Sequence, residues 1–575
     1  MTETLQAISP EIILVAVAST AYLVGTFVNL SARCWCCTAT VTIIVAGLSL
    51  FFCAFHVDSI ESDMIVMDSI ARFGCALTLL TGLALILMSA RSCGDDIASE
   101  YFASLLLVVA GGMFVAVAND VVLLFLGLEL ISIPTYVLLY LPRHGTASQE
   151  SAAKYFFLSI FASALFLYGL SFLYGAVGST NLDAVKDFAN HGWNRNLLGS
   201  TIPVALVLIM AGLSFKVAAV PFHFYAPDVY QGTTTTLAAL LAWAPKAAGI
   251  IAMLRIVMFA MSYTETEMSY VGTQSAWIIW LIAAATMTVG NCMGLLQDNL
   301  RRLFAYSSIA HSGYMLLGIG AGCVGGQPYI TNSGSDSVVF YLLIYAVMTL
   351  GAFAVLVYLS SPGRPIEKLE DLSGLSSSHP GVALAMAVFL FSLTGIPITA
   401  GFWGKLALFS SALACNEPIY TYLAIIGVIN AAISSYYYLR IIGVMYMRDT
   451  TTPAEAEGGH AALAVIATCA ALTLAIGIFP GPFLKWTNTD PNHTDMAREQ
   501  VKKHHPKRMI ENRKTAVAKD TPRDEVTLRV TRQLQFVRAN PTHSNRHLHR
   551  HHQYFSHPSV FLQSMRRWSV TVLRH

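Results

Sequence analysis

Charge is what this sequence has least of: Asp, Glu, Lys and Arg make up 12% of its 575 residues, against roughly 25% in ordinary soluble domains. With 55% hydrophobic residues and a mean hydropathy of +0.58, that scarcity excludes a water-soluble globular chain and a nucleic-acid-binding one. The start, MTETLQAISPE, lacks the basic stretch of a cleaved signal, and nothing has the composition of a transit peptide. The first apolar run is therefore expected to stay as a helix. No Gly-rich βα fingerprint for a nucleotide is present. The ten cysteines have neither cluster nor metal spacing; Cys34, Cys36 and Cys37 fall together near the first inner loop without a matching histidine. On those grounds no flavin, iron–sulfur cluster or cysteine-held metal is expected in this chain, and a thiol function is disfavoured.

What the sequence has instead is apolar runs of bilayer length. Stretches of about 20 such residues cross a membrane as a helix, and scanning for them from residue 10 to 480 gives about fourteen spans. The expected fold class is an all-α polytopic membrane protein, with lipid and other apolar surfaces as neighbours. Short-loop basic residues set the orientation. With the N-terminus outside, the inner loops carry Arg33, Arg91, Arg143, Arg301, Arg302, Arg364, Lys368, Arg440 and Arg448, and the outer ones essentially Lys186 and Arg195.

Four charges break the apolar pattern where lipid packing gives no reason for them: Glu129, Lys216, Lys246 and Lys405, each in the middle of an apolar run. A charge at the bilayer centre costs about 2.5 to 3.5 kcal/mol even on lenient insertion scales. Burial disfavours the charged form of either group and a nearby opposite charge restores it, so a buried Glu/Lys pair is a switch for protons. His223 and His311 can donate and accept protons near neutral pH. Ser307 and Ser308, a turn before His311, can hold bridging water. Lys154, Arg255 and Arg302 lie toward helix ends, where snorkelling is the simpler account, and His223 beside Pro221 can equally satisfy freed carbonyls.

Two apolar segments are interrupted by proline next to a lysine, one at Lys216/Pro221 and one at Pro397/Lys405. Paired interruptions at matching positions point to inverted repeats with a site at mid-membrane. The Glu129 and Lys216 spans are fifth and seventh, and the His311 and Lys405 spans tenth and twelfth, so the offset is equal. Two regions follow: a membrane domain over 1–485 and a basic, His-rich tail over 486–575 that reads as mostly disordered. Its His547, His549, His551 and His552 could bind a soft divalent metal, though a solvated tail or an extension past an ancestral stop accounts for them more simply.

The strings LGLELISIPTYVLLY, SFKVAAVPFHFYAPDVYQG, APKAAG, NLRRLFAYSSIAHSGYMLLG and GIPITAGFWGKL closely resemble the antiporter-like membrane subunits of respiratory complex I, among them the subunit N type of bacterial NADH:quinone oxidoreductase. The resemblance spans about residues 8 to 485. It implies fourteen helices, two inverted five-helix repeats with helices 7 and 12 broken, and proton translocation as a subunit of a redox-driven enzyme. It assigns the relay to Glu129, Lys154, Lys216, Lys246, His311 and Lys405, with His223 beside them. NADH, FMN, iron–sulfur clusters and quinone would belong to partner subunits, with none bound by this chain. Neighbouring antiporter-like and small membrane subunits would be the partners, and a bacterial inner (plasma) membrane the location. A cation/proton antiporter subunit without a redox partner is the competing reading, and an inactive scaffold a third that the intact charged set opposes. One departure is Gly232-Thr233-Thr234-Thr235-Thr236, where the family usually has proline. The start of the next helix is expected to be less sharply set there.

Overall fold

The computed structural model describes residues 2–56, 64–91, 93–141, 145–191, 201–260, 270–324, 334–360, 365–415, 417–449 and 458–487. The chain divides into two units, 1–494 and 495–575, of which the second, with most of the basic tail and its His547, His549, His551 and His552, lies outside the described residues. The described residues are helical almost throughout, with three isolated β-bridges and no strand.

In chain order the first helices are α1 (Thr2–Ala7), α2 (Ser9–Gly25), α3 (Ala32–His56), α4 (Ser69–Ser89), α5 (Ala98–Val117), α6 (Val121–Tyr140), α7 (Thr146–Val177) and α8 (Leu182–His191). They are followed by α9 (Thr201–Lys216), α10 (Ala226–Gly232), α11 (Thr235–Ala260), α12 (Tyr270–Gly294), α13 (Leu300–Val324) and α14 (Gly334–Leu359). The last are α15 (Leu375–Ser378), α16 (Pro380–Thr394), α17 (Ala400–Ala414), α18 (Pro418–Met447), α19 (Gly459–Ile478) and α20 (Pro480–Trp486). Ten of these, α3 to α7, α11, α12, α14, α18 and α19, are long and apolar enough to cross a membrane, and α2, α9 and α16 are shorter apolar helices. α5, α11 and α14 are buried along nearly their whole length, whereas α3, α7 and α18 turn broad apolar faces outward, as lipid-facing helices do.

Both expected interruptions are present. α9 stops at Lys216, and Ala218 takes a positive φ of 55° before α10 begins. The backbone groups released there find side-chain partners. Ser312 Oγ donates to the Val217 carbonyl at 2.7 Å, the Val220 N–H donates to Thr286 Oγ1 at 3.0 Å, and Tyr225 OH donates to the Phe215 carbonyl at 3.0 Å. An irregular backbone at membrane depth is tolerated only when it is satisfied by protein in this way. α16 stops at Thr394, and Gly395 and Ile398 take φ of 93° and 77° before α17 resumes.

Glycines let the supporting helices close in. A Cβ at Gly169 of α7 would lie 2.8 Å from the Ile209 nitrogen of α9, and one at Gly212 of α9 would lie 2.8 Å from the Ala162 carbonyl of α7. With that contact, the serine-bearing face of α7 reaches Lys216. The threonine run replacing the expected proline supplies its own cap: Leu237 N–H donates to Thr234 Oγ1 at 3.4 Å, and Arg301 holds the Thr233 carbonyl. The start of α11 is therefore well set, contrary to expectation, because hydroxyls and a buried guanidinium do what the ring would have done.

Candidate functional site

Asp120 caps α6, its side chain accepting from the Val122 and Leu123 N–H groups at 2.7 and 3.2 Å. Two turns on, Glu129 projects toward α7 and α9. Its Oε1 accepts from Ser163 Oγ at 2.5 Å and lies 3.5 Å from Lys216 Nζ. Lys216, 5% exposed, also donates to Ser132 Oγ at 2.6 Å and reaches Ser159 and Ser163 Oγ at 3.4 Å each. Tyr136 OH in turn donates to Ser159 Oγ at 2.8 Å. One buried ammonium thus faces one carboxylate and three hydroxyls from α6 and α7. With the lysine 5% exposed, these contacts take the place of its hydration.

Lys246 is the second group. Its helix α11 packs on the first site at Gly249, where an added Cβ would stand 3.2 Å from the Lys216 Cβ. Lys246 is 2% exposed and donates to Ser308 Oγ, which shares a 2.6 Å hydrogen bond with Tyr345 OH. On the same helix as Ser308, His311 Nδ1 meets Tyr341 OH at 2.5 Å and Nε2 meets Tyr438 OH at 3.2 Å. Ser307 bonds the same Tyr438 hydroxyl. The two serines expected to hold water are thus bonded directly to a lysine and tyrosines.

Lys405 closes the row without a carboxylate. Nζ donates to the Leu393 and Thr394 carbonyls at 2.8 and 2.9 Å and sits 5.1 Å from the centre of the Tyr314 ring. The two acceptors are unpaired carbonyls at the C-terminus of α16, where the helix dipole favours a cation. The Tyr314 ring is 5.7 Å from the His311 ring, which joins the second and third groups.

Lys154 and His223 stand apart from the row. Lys154, with its side chain 40% exposed, pairs with Glu150 at 2.7 Å and Asp228 at 2.8 Å. It borders a polar cavity of about 770 Å³ lined also by Gln231 and Glu367. Arg302 binds the other oxygen of Asp228 at 2.6 Å. His223 lies half-buried within the first interruption, and its Nδ1 is buried without a hydrogen-bond partner. Arg255 does not snorkel: it is 4% exposed and grips both oxygens of Asp68 at 2.9 Å. Among the described residues no group of three His, Cys, Asp or Glu stands close enough to hold a metal ion.

The family profile for the NADH:quinone oxidoreductase/Mrp antiporter transmembrane segment matches residues 118–434. NADH-quinone oxidoreductase subunit N of Trichlorobacter lovleyi is 37% identical over 497 residues, covering 84% of this chain and 96% of that one. NADH-quinone oxidoreductase subunit N 2 of Rhizobium meliloti is 38% identical over 480 residues, covering 83% and 95%. The chain belongs to the NADH-quinone oxidoreductase subunit N family. A chain of respiratory complex I from Thermus thermophilus with bound aureothin superposes with a TM-score of 0.69 at 30% identity, covering 83% of this chain and 98% of that one. A chain of the Mrp complex from Dietzia superposes with a TM-score of 0.72 at 19% identity, covering 85% and 99%, a likeness of fold alone.

For this member of the subunit N family, sequence reasoning found every lysine of the row and the Glu129 partner of Lys216, and missed the tyrosines and the α6 and α7 serines around them. Tyr345, Tyr341, Tyr438 and Tyr314 are all buried, yet aromatic residues in an apolar run give no signal that the hydroxyls of Tyr341 and Tyr438 meet His311, that of Tyr345 meets Ser308, and the Tyr314 ring lies against Lys405. Ser132, Ser159 and Ser163 were detectable in principle, since Ser159 and Ser163 are spaced i,i+4 on one helix face. Glu11, fully buried in the first turn of α2, was also missed, because one acidic residue at the edge of the first apolar run gives no signal of burial.

Proposed function

We propose that this chain is the proton-translocating membrane subunit N of NADH:quinone oxidoreductase, complex I, in the inner membrane of a bacterium. Electrons pass from NADH to quinone in partner subunits that hold FMN and iron–sulfur clusters. This chain moves protons in response. On this reading the membrane domain makes fourteen crossings: the ten long helices, the three shorter ones and α13, with α10 and α17 continuing the interrupted α9 and α16. Two inverted five-helix repeats place the interruptions at matching depth.

The observation that carries the reading is the buried ion pair, a 5% exposed Lys216 standing 3.5 Å from Glu129 and leading on to two further buried lysines. The pair holds two charges together. When Glu129 withdraws or gains a proton, the ammonium is left with neutral hydroxyls, and its proton passes toward Lys246 along the α13 face that carries Ser312 and Ser308. Moving one charge against roughly 150 mV requires about 3.5 kcal/mol, within the range that making and breaking a buried ion pair provides. From Lys246 the path runs by His311 and its tyrosines to Lys405.

The test is the whole complex carrying Lys216→Met, reconstituted in vesicles, with pumping and quinone reduction measured together. Methionine matches the lysine stem without a titratable head, so assembly is expected to hold while pumping fails. Normal pumping at normal complex content would remove Lys216 from the path. Proton movement driven by a sodium gradient without NADH would favour the antiporter reading instead.

A further inference from the structure

Glu11 is a fully buried carboxylate that the relay does not use and that no cation accompanies; Asp120, also buried, is satisfied instead by the N–H groups of the helix it caps. Glu11 lies in the first turn of the 17-residue α2 and is 0% exposed. Its Oε1 accepts from the Cys75 thiol of α4 at 3.9 Å, while Oε2 is buried with no hydrogen-bond partner. The same thiol also points at the Met113 carbonyl of α5 at 3.9 Å.

The charged groups around this pocket are accounted for. Arg255 of α11 lies within electrostatic reach of Cys75 but is held bidentately by Asp68 and by the Ala116 carbonyl at 2.6 Å. That pair is neutral as a unit. No charged group of α3, α4 or α5 forms an ion pair or hydrogen bond with Glu11 among the described residues. The dipole of α2 favours an anion in its first turn, but that contribution is small beside the desolvation of a fully buried carboxylate, which only a cation or several strong donors offset. A thiol at 3.9 Å is a weak donor. The neutral acid, by contrast, carries no charge to desolvate: Oε1 as the carbonyl oxygen keeps the Cys75 thiol, and an unpartnered Oε2 hydroxyl costs far less than an unpartnered buried anion.

We propose that Glu11 is a second proton-binding site of this chain, a neutral carboxylic acid enclosed by α2, α4 and α5 with Cys75 as its companion and separate from the row that runs from Glu129 to Lys405. Its ligand is the proton. The site does not depend on the assigned function, and its test reads protonation rather than pumping.

The experiment is infrared difference spectroscopy on the assembled complex, wild type against Glu11→Gln, in H2O and D2O. The expected result is the loss in the variant of one carbonyl band of a protonated carboxyl, a band that moves to lower frequency in D2O when the wild-type site exchanges. Cys75→Ser, which puts a stronger donor in the thiol's place, shifts that band to lower frequency without removing it. Glutamine has the shape and neutrality of the acid, so the variant assembles to wild-type content. Loss of a carboxylate band instead, no change in the protonated-carboxyl region, or failure of Glu11→Gln to assemble would each show that the ionised form is the native one and overturn the proposal.

Discussion

Replacing Glu129 by glutamine removes one charge and almost no volume, and the geometry says how much that costs. At 3.5 Å from Lys216 Nζ, and with an effective dielectric of about 20, the Coulomb attraction is about 5 kcal/mol. Part of that is recovered, because Ser132, Ser159 and Ser163 remain around the ammonium and the amide oxygen can still accept. Removing one partner of a buried pair leaves a net change of about 3 to 5 kcal/mol. At about 1.4 kcal/mol per decade, the balance between the states that the relay alternates between moves by two orders of magnitude or more. Glu129→Gln should therefore pump at least tenfold more slowly in reconstituted vesicles, with assembly close to normal. Ser163→Ala is the graded control. It deletes the 2.5 Å hydrogen bond to Glu129 and keeps both charges, so its defect should be smaller, about 1.5 to 3 kcal/mol. The reasoning fails if Glu129→Gln pumps at the wild-type rate at normal complex content, or if Ser163→Ala is the worse of the two.

Two further outcomes follow from the same geometry. Lys405→Arg keeps a cation near the Leu393 and Thr394 carbonyls but cannot release a proton; it should assemble and pump poorly at every pH tested, and wild-type pumping would make Lys405 a fixed electrostatic element. Gly212→Ala places a methyl 2.8 Å from the Ala162 carbonyl, so α7 and α9 must separate; a destabilisation of about 1 to 3 kcal/mol should lower complex content on native gels, and unchanged content would mean that the two helices part without loss.

The sequence makes the row legible because charge in an apolar run is rare enough that each instance stands out. Lys216, Lys246 and Lys405 need no structure to be noticed. What holds them is another matter. Tyr345 beside Ser308 and Tyr314 beneath Lys405 are tyrosines in a chain with 24 of them, so their role depends on which helices meet, and periodicity does not specify that. Arg255 was misread for a related reason. Its place near the end of α11 suggested a head group reaching for water, whereas Asp68, 187 positions away in sequence, meets it inside the protein. Glu11 shows the opposite case: an acidic residue near the start draws no attention in the sequence, although Pro10 and the apolar run after it already put it inside a helix.

The two interruptions solve the same problem by different physics, and this separates the two ends of the row. At the first, Lys216 ends α9 and looks across to a carboxylate, so its charge is balanced by another charge that can itself gain or lose a proton. At the second, Lys405 turns back across the break onto the last carbonyls of α16, so its charge is balanced by backbone dipoles that cannot titrate. Such a cap is worth about 2 kcal/mol at most in partly buried settings, and it is geometric: it exists only while α17 holds Nζ over the end of α16. Ser392 contributes to the same joint, its hydroxyl accepting from the Gly401 N–H at 2.9 Å, and the close approach leaves no room at Gly401 for a side chain. A shift of α17 against α16 would therefore remove the stabilisation of the Lys405 charge without any change elsewhere in the row. On the proposed function, proton release at the first lysine would be governed by the state of a neighbouring acid, and at the last by the position of a half-helix. A conformational change delivered from a partner subunit would then act on Lys405 directly, and on Lys216 through Glu129.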